Sequence, residues 1–157
     1  MGSKETVYIG VIGAGKCAKK LKDQAYAVGV AIAEEKAVLV CGGLKGVMEA
    51  AAKGASEAGG RTVGIIPGNE RAKANPYCDI VIPTGVGEAR NVILVQSADV
   101  LISLHGKFGT ISEMAFALKM KKPVVSLVTW DVFPEVCHAS NPEEAVKKAI
   151  ELVRDGK

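Results

Sequence analysis

The chain has 157 residues, of which 48% are hydrophobic and 24% are charged, a composition typical of one globular domain and not of a disordered or fibrous chain. The net charge of only +3, without a dense basic run, argues against nucleic-acid binding, and no apolar stretch is long enough for a membrane span. Four cysteines without metal-ligand spacing argue against a zinc site or a disulfide scaffold, and we expect buried free thiols in a cytoplasmic protein.

Strand-like and helix-like segments alternate along the whole sequence. Strands are predicted at residues 6–12, 38–41, 61–66, 79–83, 99–104 and 123–128. Helices are predicted at residues 17–36, 45–58, 87–97, 109–120 and 141–154. Several strands are apolar without alternation, as expected when both faces of a sheet are covered. The pattern predicts one α/β domain over residues 1–157, a Rossmann-like, mostly parallel open sheet with helices on both faces.

The first turn after a strand resembles a dinucleotide-binding fingerprint. In an open α/β sheet ligands bind beyond the carboxyl ends of the strands, so such turns are the candidate sites. Gly13, Gly15 and Ala18 fit the G-x-G-x-x-G/A spacing. The fingerprint also needs an acidic residue after the second strand to bind the ribose, and Cys41 stands there instead. The sequence therefore disfavours NAD binding.

The same turn also approaches a phosphate-binding P-loop. Gly10, Gly15 and Lys16 have the required spacing, but Cys17 replaces the Ser or Thr that would bind Mg²⁺. ATPase chemistry is therefore disfavoured. Two interpretations stay open: a tight turn required by folding alone, or a turn whose Gly13, Gly15 and Lys16 contact a ligand.

The next two turns differ in what they indicate. Gly42 and Gly43 open a helix, and adjacent glycines there leave amides bare for an anion, with the helix dipole reinforcing the attraction. Turn geometry alone is the alternative explanation. The following loop, which begins with Pro67 and Gly68, indicates only exposure.

The turn at residues 105–113 carries the candidate chemistry. Thr110 and Glu113 have the spacing of a capping box, which would give both a purely structural role. A carboxylate in the first turn of a helix at this edge is also well placed to act on a ligand. Arg90 lies near the start of its own helix, whose amino end should open at the same edge, where it could form an ion pair or bind a phosphate.

The last helix is explained by folding alone. Asn141 can cap it, Pro142 suits its first position, and Glu143 and Glu144 favour the positive end of the helix dipole.

Together these segments resemble the LOG-like family of Rossmann-type proteins, often mislabelled as lysine decarboxylases. The matching segments are residues 42–43, 46–50, 59–67, 98–99, Arg90, Gly109, Thr110 and Glu113. The resemblance implies hydrolysis of nucleoside 5′-monophosphates to free base and ribose 5-phosphate, with Arg90 and Glu113 as the catalytic pair. It also implies that Gly109 and Thr110 bind the phosphate, and homo-oligomers are usual in the family. Lysine decarboxylation itself is disfavoured, because no lysine in the sequence stands out as a Schiff-base former.

Two departures from the family pattern suggest a second function. The family's Pro-Gly-Gly is His105, Gly106 and Lys107 in this chain, and its His-Glu before the arginine is Glu88 and Ala89. This variant resembles a smaller subgroup that includes the molybdenum cofactor carrier proteins, which bind a phosphorylated pterin without converting it. Lys107 either reaches the phosphate or narrows the pocket.

The sequence therefore leads to two hypotheses. The first is a phosphoribohydrolase that needs no cofactor, in which Glu113 stabilises an oxocarbenium-like sugar or orients water and Arg90 positions the substrate. The second is a carrier or sensor of molybdenum cofactor or a related phosphorylated ligand. We expect a homodimer or homotetramer, no metal site, and neither nucleic-acid nor membrane partners. The predicted phosphate- or ligand-binding residues are Gly13, Gly15, Lys16, Gly42, Gly43, Gly106, Lys107, Phe108, Gly109 and Thr110.

Overall fold

In the computed structural model, which describes residues 5–128 and 133–156, seven parallel strands form one sheet. The strands are β1 (Tyr8–Ile12), β2 (Val38–Cys41), β3 (Arg61–Ile66), β4 (Ile80–Pro83), β5 (Val100–Ser103), β6 (Val124–Ser126) and β7 (Cys137–His138). The helices are α1 (Lys19–Glu34), α2 (Val47–Glu57), α3 (Arg90–Ser97), α4 (Phe108–Lys119) and α5 (Pro142–Asp155). The predicted fold class is confirmed, and every strand pairing within the described residues is parallel.

Two apolar cores lie on opposite faces of the sheet. Residues of α1, α2 and α5 pack on one face, and residues of α3 and α4 pack on the other. On β5, Val100 and Ile102 belong to the first core, whereas Leu101 between them belongs to the second. Successive side chains of a strand point to opposite faces, so a strand covered on both sides needs apolar residues at every position.

The strand order reverses between β1 and β5. Across the sheet the order is β4-β3-β2-β1-β5-β6-β7, so the chain runs outward from β1 to β4 and then returns, through α3, to the other side of β1. The helices that follow β1 and β5 lie on opposite faces, and a crevice therefore opens above the carboxyl ends of these two strands. Open α/β sheets bind their ligands at such a topological switch point.

Several predicted details need correction. The helix predicted at residues 87–97 begins as a 3₁₀ turn at Gly87–Ala89, and only Arg90–Ser97 is α-helical. The short strand β7 was not predicted, because two residues carry no hydrophobic pattern. All four cysteines are free, but only Cys41 is buried; Cys17, Cys78 and Cys137 are partly exposed. Across the described residues, none of the helices combines the length and apolar character needed to cross a membrane.

Candidate functional site

A cavity of about 350 Å³ lies in the crevice at the switch point. We call it the switch-point cavity. Its lining comes from the turn after β1, the turn after β2, and the first turns of α3 and α4. The lining residues are Val11, Ile12, Gly13, Ala14, Gly15, Lys16, Gly42, Met48, Glu88, Arg90, Asn91, Lys107, Gly109, Thr110 and Glu113. Nine residues singled out from the sequence are therefore brought together: Gly13, Gly15, Lys16, Gly42, Arg90, Lys107, Gly109, Thr110 and Glu113.

Three predicted contact residues do not line this cavity. Gly43 is buried with a φ of +73°, and a β-carbon there would lie 2.5 Å from Cγ2 of Ile66, so folding alone requires this glycine. Gly106 is buried behind Thr110, whose hydroxyl oxygen a β-carbon at position 106 would overlap. The side chain of Phe108 is 86% exposed and lies outside the cavity. The contacts predicted at these three positions lie outside the lining of this cavity and stay predictions.

Arg90 is the buried cation of the cavity. It is the first residue of α3, only 6% exposed, and its guanidinium lies directly over the backbone of Gly42. A β-carbon at Gly42 would overlap Nη1 of Arg90 and lie 2.6 Å from Sδ of Met48, which explains why this position is a glycine. Within the described residues, the buried Nε of Arg90 has no hydrogen-bond acceptor. The surrounding protein closes off Nε itself, so a ligand meets the rest of the Arg90 side chain, which lines the cavity.

Glu113 is the buried acid of the cavity. It is 7% exposed, and burial raises the pKa of its carboxyl group from 4.5 to about 8. The guanidinium of Arg90 opposes this shift, and the carboxylate of Glu88 adds to it. Among the described residues no ion pair joins Glu113 to Arg90. The guanidinium is close enough to influence the carboxyl group, but the two do not form a salt bridge. A carboxyl group with a pKa of about 8 is mostly protonated at neutral pH.

The charged side chains around the cavity leave an excess of positive charge. Arg90, Lys16 and Lys107 contribute cations, and Glu88 contributes a carboxylate. Glu113 is largely neutral near pH 7 because of its raised pKa. The cavity therefore attracts anions.

The amino end of α4 has no internal cap. The helix begins at Phe108, so Thr110 and Glu113 are its third and sixth residues, and the predicted capping box is wrong. Lys107 occupies the N-cap position without a side-chain cap bond. The first backbone bond joins the amide of Ile111 to the carbonyl of Lys107 at 3.0 Å. The amides of residues 108–110 find no acceptor among the described residues, and the positive end of the helix dipole favours an anion there.

The glycines of the cavity fall into two classes. A β-carbon at Gly13 would lie 2.8 Å from the side chain of Val47, so packing requires that glycine. A β-carbon at Gly109 would meet nothing within 4 Å, and one at Gly15 would lie 3.8 Å from Cε of Met48, which is ordinary contact. Protein packing therefore does not explain Gly15 or Gly109, and both face the space where a ligand would lie.

Six lining residues were not among the predicted contacts: Val11, Ile12, Ala14, Met48, Glu88 and Asn91. Met48 packs beside Gly42, and the family resemblance, which includes residues 46–50, implied no contact role for it. Asn91 is 5% exposed; its Nδ2 donates a long hydrogen bond of 3.4 Å to Ser112, and its Oδ1 has no partner within the described residues. The available signal was an amide side chain directly after Arg90, at the start of an otherwise apolar helix.

Comparison with known proteins gives consistent matches over nearly the whole chain. A family model described as the SLOG cluster4 family matches residues 6–153. An uncharacterized protein from Archaeoglobus fulgidus is 51% identical over 142 residues, which cover 90% of this chain and 93% of that protein.

Two solved structures are similar in both sequence and fold. The molybdenum cofactor binding protein of the phototrophic bacterium Rippkaea orientalis is 38% identical with a TM-score of 0.90, and the match covers 96% of this chain and 99% of that one. The Moco carrier protein of Chlamydomonas reinhardtii is 36% identical with a TM-score of 0.87, over 98% of this chain and all of the other. The expected likeness to molybdenum cofactor carriers is thus confirmed, and the broader LOG-like assignment is confirmed only in part. These matches do not support the hydrolase activity.

Proposed function

The chain belongs to the SLOG cluster4 family, and from its likeness to two molybdenum cofactor proteins we propose that it binds molybdenum cofactor, or a closely related phosphorylated pterin, and releases it unchanged. The observation that carries this proposal is that the Arg90 side chain and the uncapped first turn of α4 line one cavity. In this proposal one phosphate group accepts hydrogen bonds from the Arg90 guanidinium and from the amides of α4.

In this proposal the phosphate lies at the amino end of α4. There the amides of residues 108–110 can donate to its oxygens, and the bare backbone of Gly109 permits close approach. Arg90 supplies a planar, charge-assisted donor, and Lys107 supplies a second cation at the rim. The LOG-like pattern has a glycine where this chain has Lys107. In this proposal the charge of the phosphate is met by the side chain of Lys107 as well as by the backbone amides.

The state of Glu113 favours binding over hydrolysis. Stabilising an oxocarbenium-like sugar requires a carboxylate, because a neutral acid offers no negative charge to the developing cation. The pKa of about 8 leaves Glu113 mostly protonated at neutral pH, and the negative charge of a phosphate nearby would raise that pKa further. A protonated Glu113 can instead donate a hydrogen bond to the ligand.

Retention of the cofactor tests the binding proposal. Molybdenum cofactor released anaerobically from a molybdoenzyme would be mixed with the protein and passed through a desalting column, and molybdenum and oxidised pterin would be measured in the protein fraction. We expect about one of each per chain for the wild type and for Arg154→Ala, which removes an exposed arginine on α5. Arg90→Ala should retain neither. Equal retention by wild type and Arg90→Ala would refute the site.

Chromatography of nucleoside monophosphates separates carriage from hydrolysis. AMP and other nucleoside 5′-monophosphates would be incubated with the wild type and with Glu113→Gln, which keeps the shape of the side chain and removes its acid group. We expect intact nucleotide with both proteins. Free base from the wild type alone would contradict carriage and assign Glu113 to hydrolysis.

We also propose a homodimer or homotetramer, as expected from the family. Apolar side chains that an interface could cover are exposed at two helices: Val86 and Ile93 are 49% and 39% exposed near α3, and Phe108 at the start of α4 is 86% exposed. Light scattering during size-exclusion chromatography would give the mass, and a species of 16.3 kDa would refute the proposal.

A further inference from the structure

A second recess adjoins the switch-point cavity on the β2 side. It has a volume of about 500 Å³ and shares Gly15 and Met48 with the cavity, so the two spaces lie next to each other. Its remaining wall includes the apolar side chains of Leu44, Ala74 and Pro76. We call it the Leu44 recess.

The wall of the Leu44 recess is held rigidly by one buried amide side chain. Asn75 is 7% exposed; its Nδ2 donates to the carbonyl of Leu44 at 2.9 Å, and its backbone amide donates to the carbonyl of Gly43 at 2.8 Å. Its Oδ1 accepts from the amide of Tyr77 at 3.1 Å. The loop after β3, which looked merely exposed in the sequence, is thereby fastened to the turn after β2. The recess is formed before any ligand arrives, which lowers the entropic cost of binding.

The junction between the two spaces is kept open by a glycine that the fold does not need. A β-carbon at Gly15 would lie 3.8 Å from Cε of Met48, and no positive φ requires a glycine there. A side chain at this position would narrow the passage between the cavity and the recess. Met48 lines both spaces, and a thioether is a favourable neighbour for an aromatic ring.

A third space on the opposite side is chemically less suited to a ring. It is lined by Leu21, Val128 and His105 together with the lysines at positions 16, 20 and 107, and we call it the Leu21 recess. The three cations of its lining suit an anionic group, whereas the Leu44 recess has two lysines and the carboxylate of Glu49 at its rim. Both recesses have apolar walls, and the lower net charge favours the Leu44 recess for an uncharged planar heterocycle.

We infer that the Leu44 recess is the subsite for the fused ring of the ligand whose phosphate lies in the switch-point cavity. This inference rests on the proposed function and adds the location of the ring. The ligand runs from the amino end of α4, past the bare backbone of Gly15, to the space between Met48 and Pro76. Selection for a pterin over other phosphate esters then depends on the loop after β3 and on Leu44, not on the phosphate-binding residues.

Two phosphate esters that differ only by the ring test this inference. Neopterin monophosphate carries a pterin on a three-carbon chain that ends in phosphate, and glycerol 3-phosphate is the same chain without the ring. Calorimetry would give both dissociation constants for the wild type and for Ala74→Leu, Leu44→Ala and Leu21→Ala. Ala74→Leu fills the recess and Leu44→Ala removes part of its wall, and neither residue lines the switch-point cavity. Leu21→Ala is the matched control in the other recess.

We expect the wild type to bind neopterin monophosphate at least about tenfold more tightly than glycerol 3-phosphate, because the ring buries apolar surface. Ala74→Leu and Leu44→Ala should reduce this preference to about twofold while leaving glycerol 3-phosphate binding unchanged. Leu21→Ala should keep the wild-type preference. Melting temperatures would establish that each variant is folded, and the two recess variants change volume in opposite directions, so failure of one to fold leaves the other informative.

Several outcomes would overturn the inference. Equal wild-type affinities for the two esters would remove the ring subsite and leave the phosphate site standing. A preference that persists in both recess variants, or that disappears only in Leu21→Ala, would place the ring elsewhere. Binding of neither ester would overturn the phosphate site itself, and with it the proposed function.

Discussion

The amino ends of α5 and α4 differ in every feature that normally stabilises the start of a helix. At α5, Oδ1 of Asn141 accepts from the amide of Glu144 at 2.8 Å, Pro142 occupies the first position, and Glu143 and Glu144 face the positive end of the dipole. At α4, Lys107 stands at the N-cap without a capping bond and places a cation at the positive end.

A missing side-chain cap alone does not set α4 apart, because α1, α2 and α3 also begin without one. The uncapped first turn of α4 is set apart by the cavity that it shares with the Arg90 side chain. At α5, by contrast, Pro142 removes one donor and Asn141 accepts from the amide of Glu144. An anion in the cavity would meet both the amides of α4 and the guanidinium of Arg90, so we locate the ligand at α4.

Removing Arg90 should have the largest effect, since it takes away the buried donor beside α4. We expect Arg90→Ala to weaken neopterin monophosphate binding by about 200- to 1,000-fold, roughly 3–4 kcal/mol, the range for truncating one partner of a buried charged hydrogen bond. The affinity of Arg90→Lys for neopterin monophosphate should lie between those of the wild type and Arg90→Ala, because lysine keeps the charge and loses the planar donor group. Calorimetry on the three proteins measures this. An affinity in Arg90→Ala within threefold of the wild type would contradict the role of Arg90.

Removing the acid of Glu113 should stabilise the free protein. The folded pKa of about 8 lies above the ordinary value of 4.5, so between pH 4.5 and 8 ionisation favours the unfolded chain, and the wild type loses stability as pH rises through that window. Glu113→Gln should therefore be more stable than the wild type by up to about 3 kcal/mol at pH 7. At pH 5 the gain should shrink below about 1 kcal/mol.

Urea unfolding at pH 5, 7 and 8 measures the difference in the free energy of unfolding between Glu113→Gln and the wild type. The wild type unfolded in parallel at each pH is the control, since denatured-state effects are then shared. A difference between the two proteins that does not change with pH would mean that the carboxyl group of Glu113 is not desolvated by the fold.

Ligand binding should weaken as Glu113 ionises. Between pH 7 and 9 the carboxyl group passes through its pKa of about 8, and the resulting carboxylate repels a phosphate in the same cavity. We expect an affinity loss of up to about tenfold over this interval in the wild type and a nearly flat profile in Glu113→Gln. Calorimetry with neopterin monophosphate in buffers of equal ionic strength tests this, and parallel profiles would speak against it.

Removing the cap of α5 or adding one to α4 should give the smallest effects. The free energy of unfolding should change in opposite directions in the two variants. Asn141→Ala should lower the free energy of unfolding by about 1 kcal/mol and leave ligand binding unchanged. Lys107→Asp should raise it by about 0.5–1 kcal/mol, since it supplies a cap and a favourable charge, while weakening phosphate binding. Thermal unfolding with and without neopterin monophosphate measures both. A stability loss in Lys107→Asp would mean that Lys107 is needed by the fold.

Local rules allowed most of the fold to be predicted. The strand β2 and the first three residues of β5 are apolar throughout because both faces are covered, and the cap of α5 depends only on neighbouring residues, so both were predictable from the sequence. The capping box at α4 was misread because a cap depends on where the helix begins. The helix starts two residues before Thr110, whose side chain packs against Gly106.

The properties that matter most in the site were beyond local rules. The raised pKa of Glu113 comes from burial by the surrounding elements, and the missing partner of Arg90 follows from its place over Gly42. The recess beside Met48 exists because Asn75 fastens a distant loop to the turn after β2, a contact across 31 residues. Sequence patterns could predict which turns line the site, but not the switch-point cavity and the Leu44 recess that lie between them.

The most direct test of the central claim is a crystal structure of the protein loaded with molybdenum cofactor. The account predicts an intact pterin whose phosphate lies within hydrogen-bond distance of the amides of residues 108–110 and of the guanidinium of Arg90. Density for the phosphate elsewhere on the molecule, with the amino end of α4 free of it, would contradict the account.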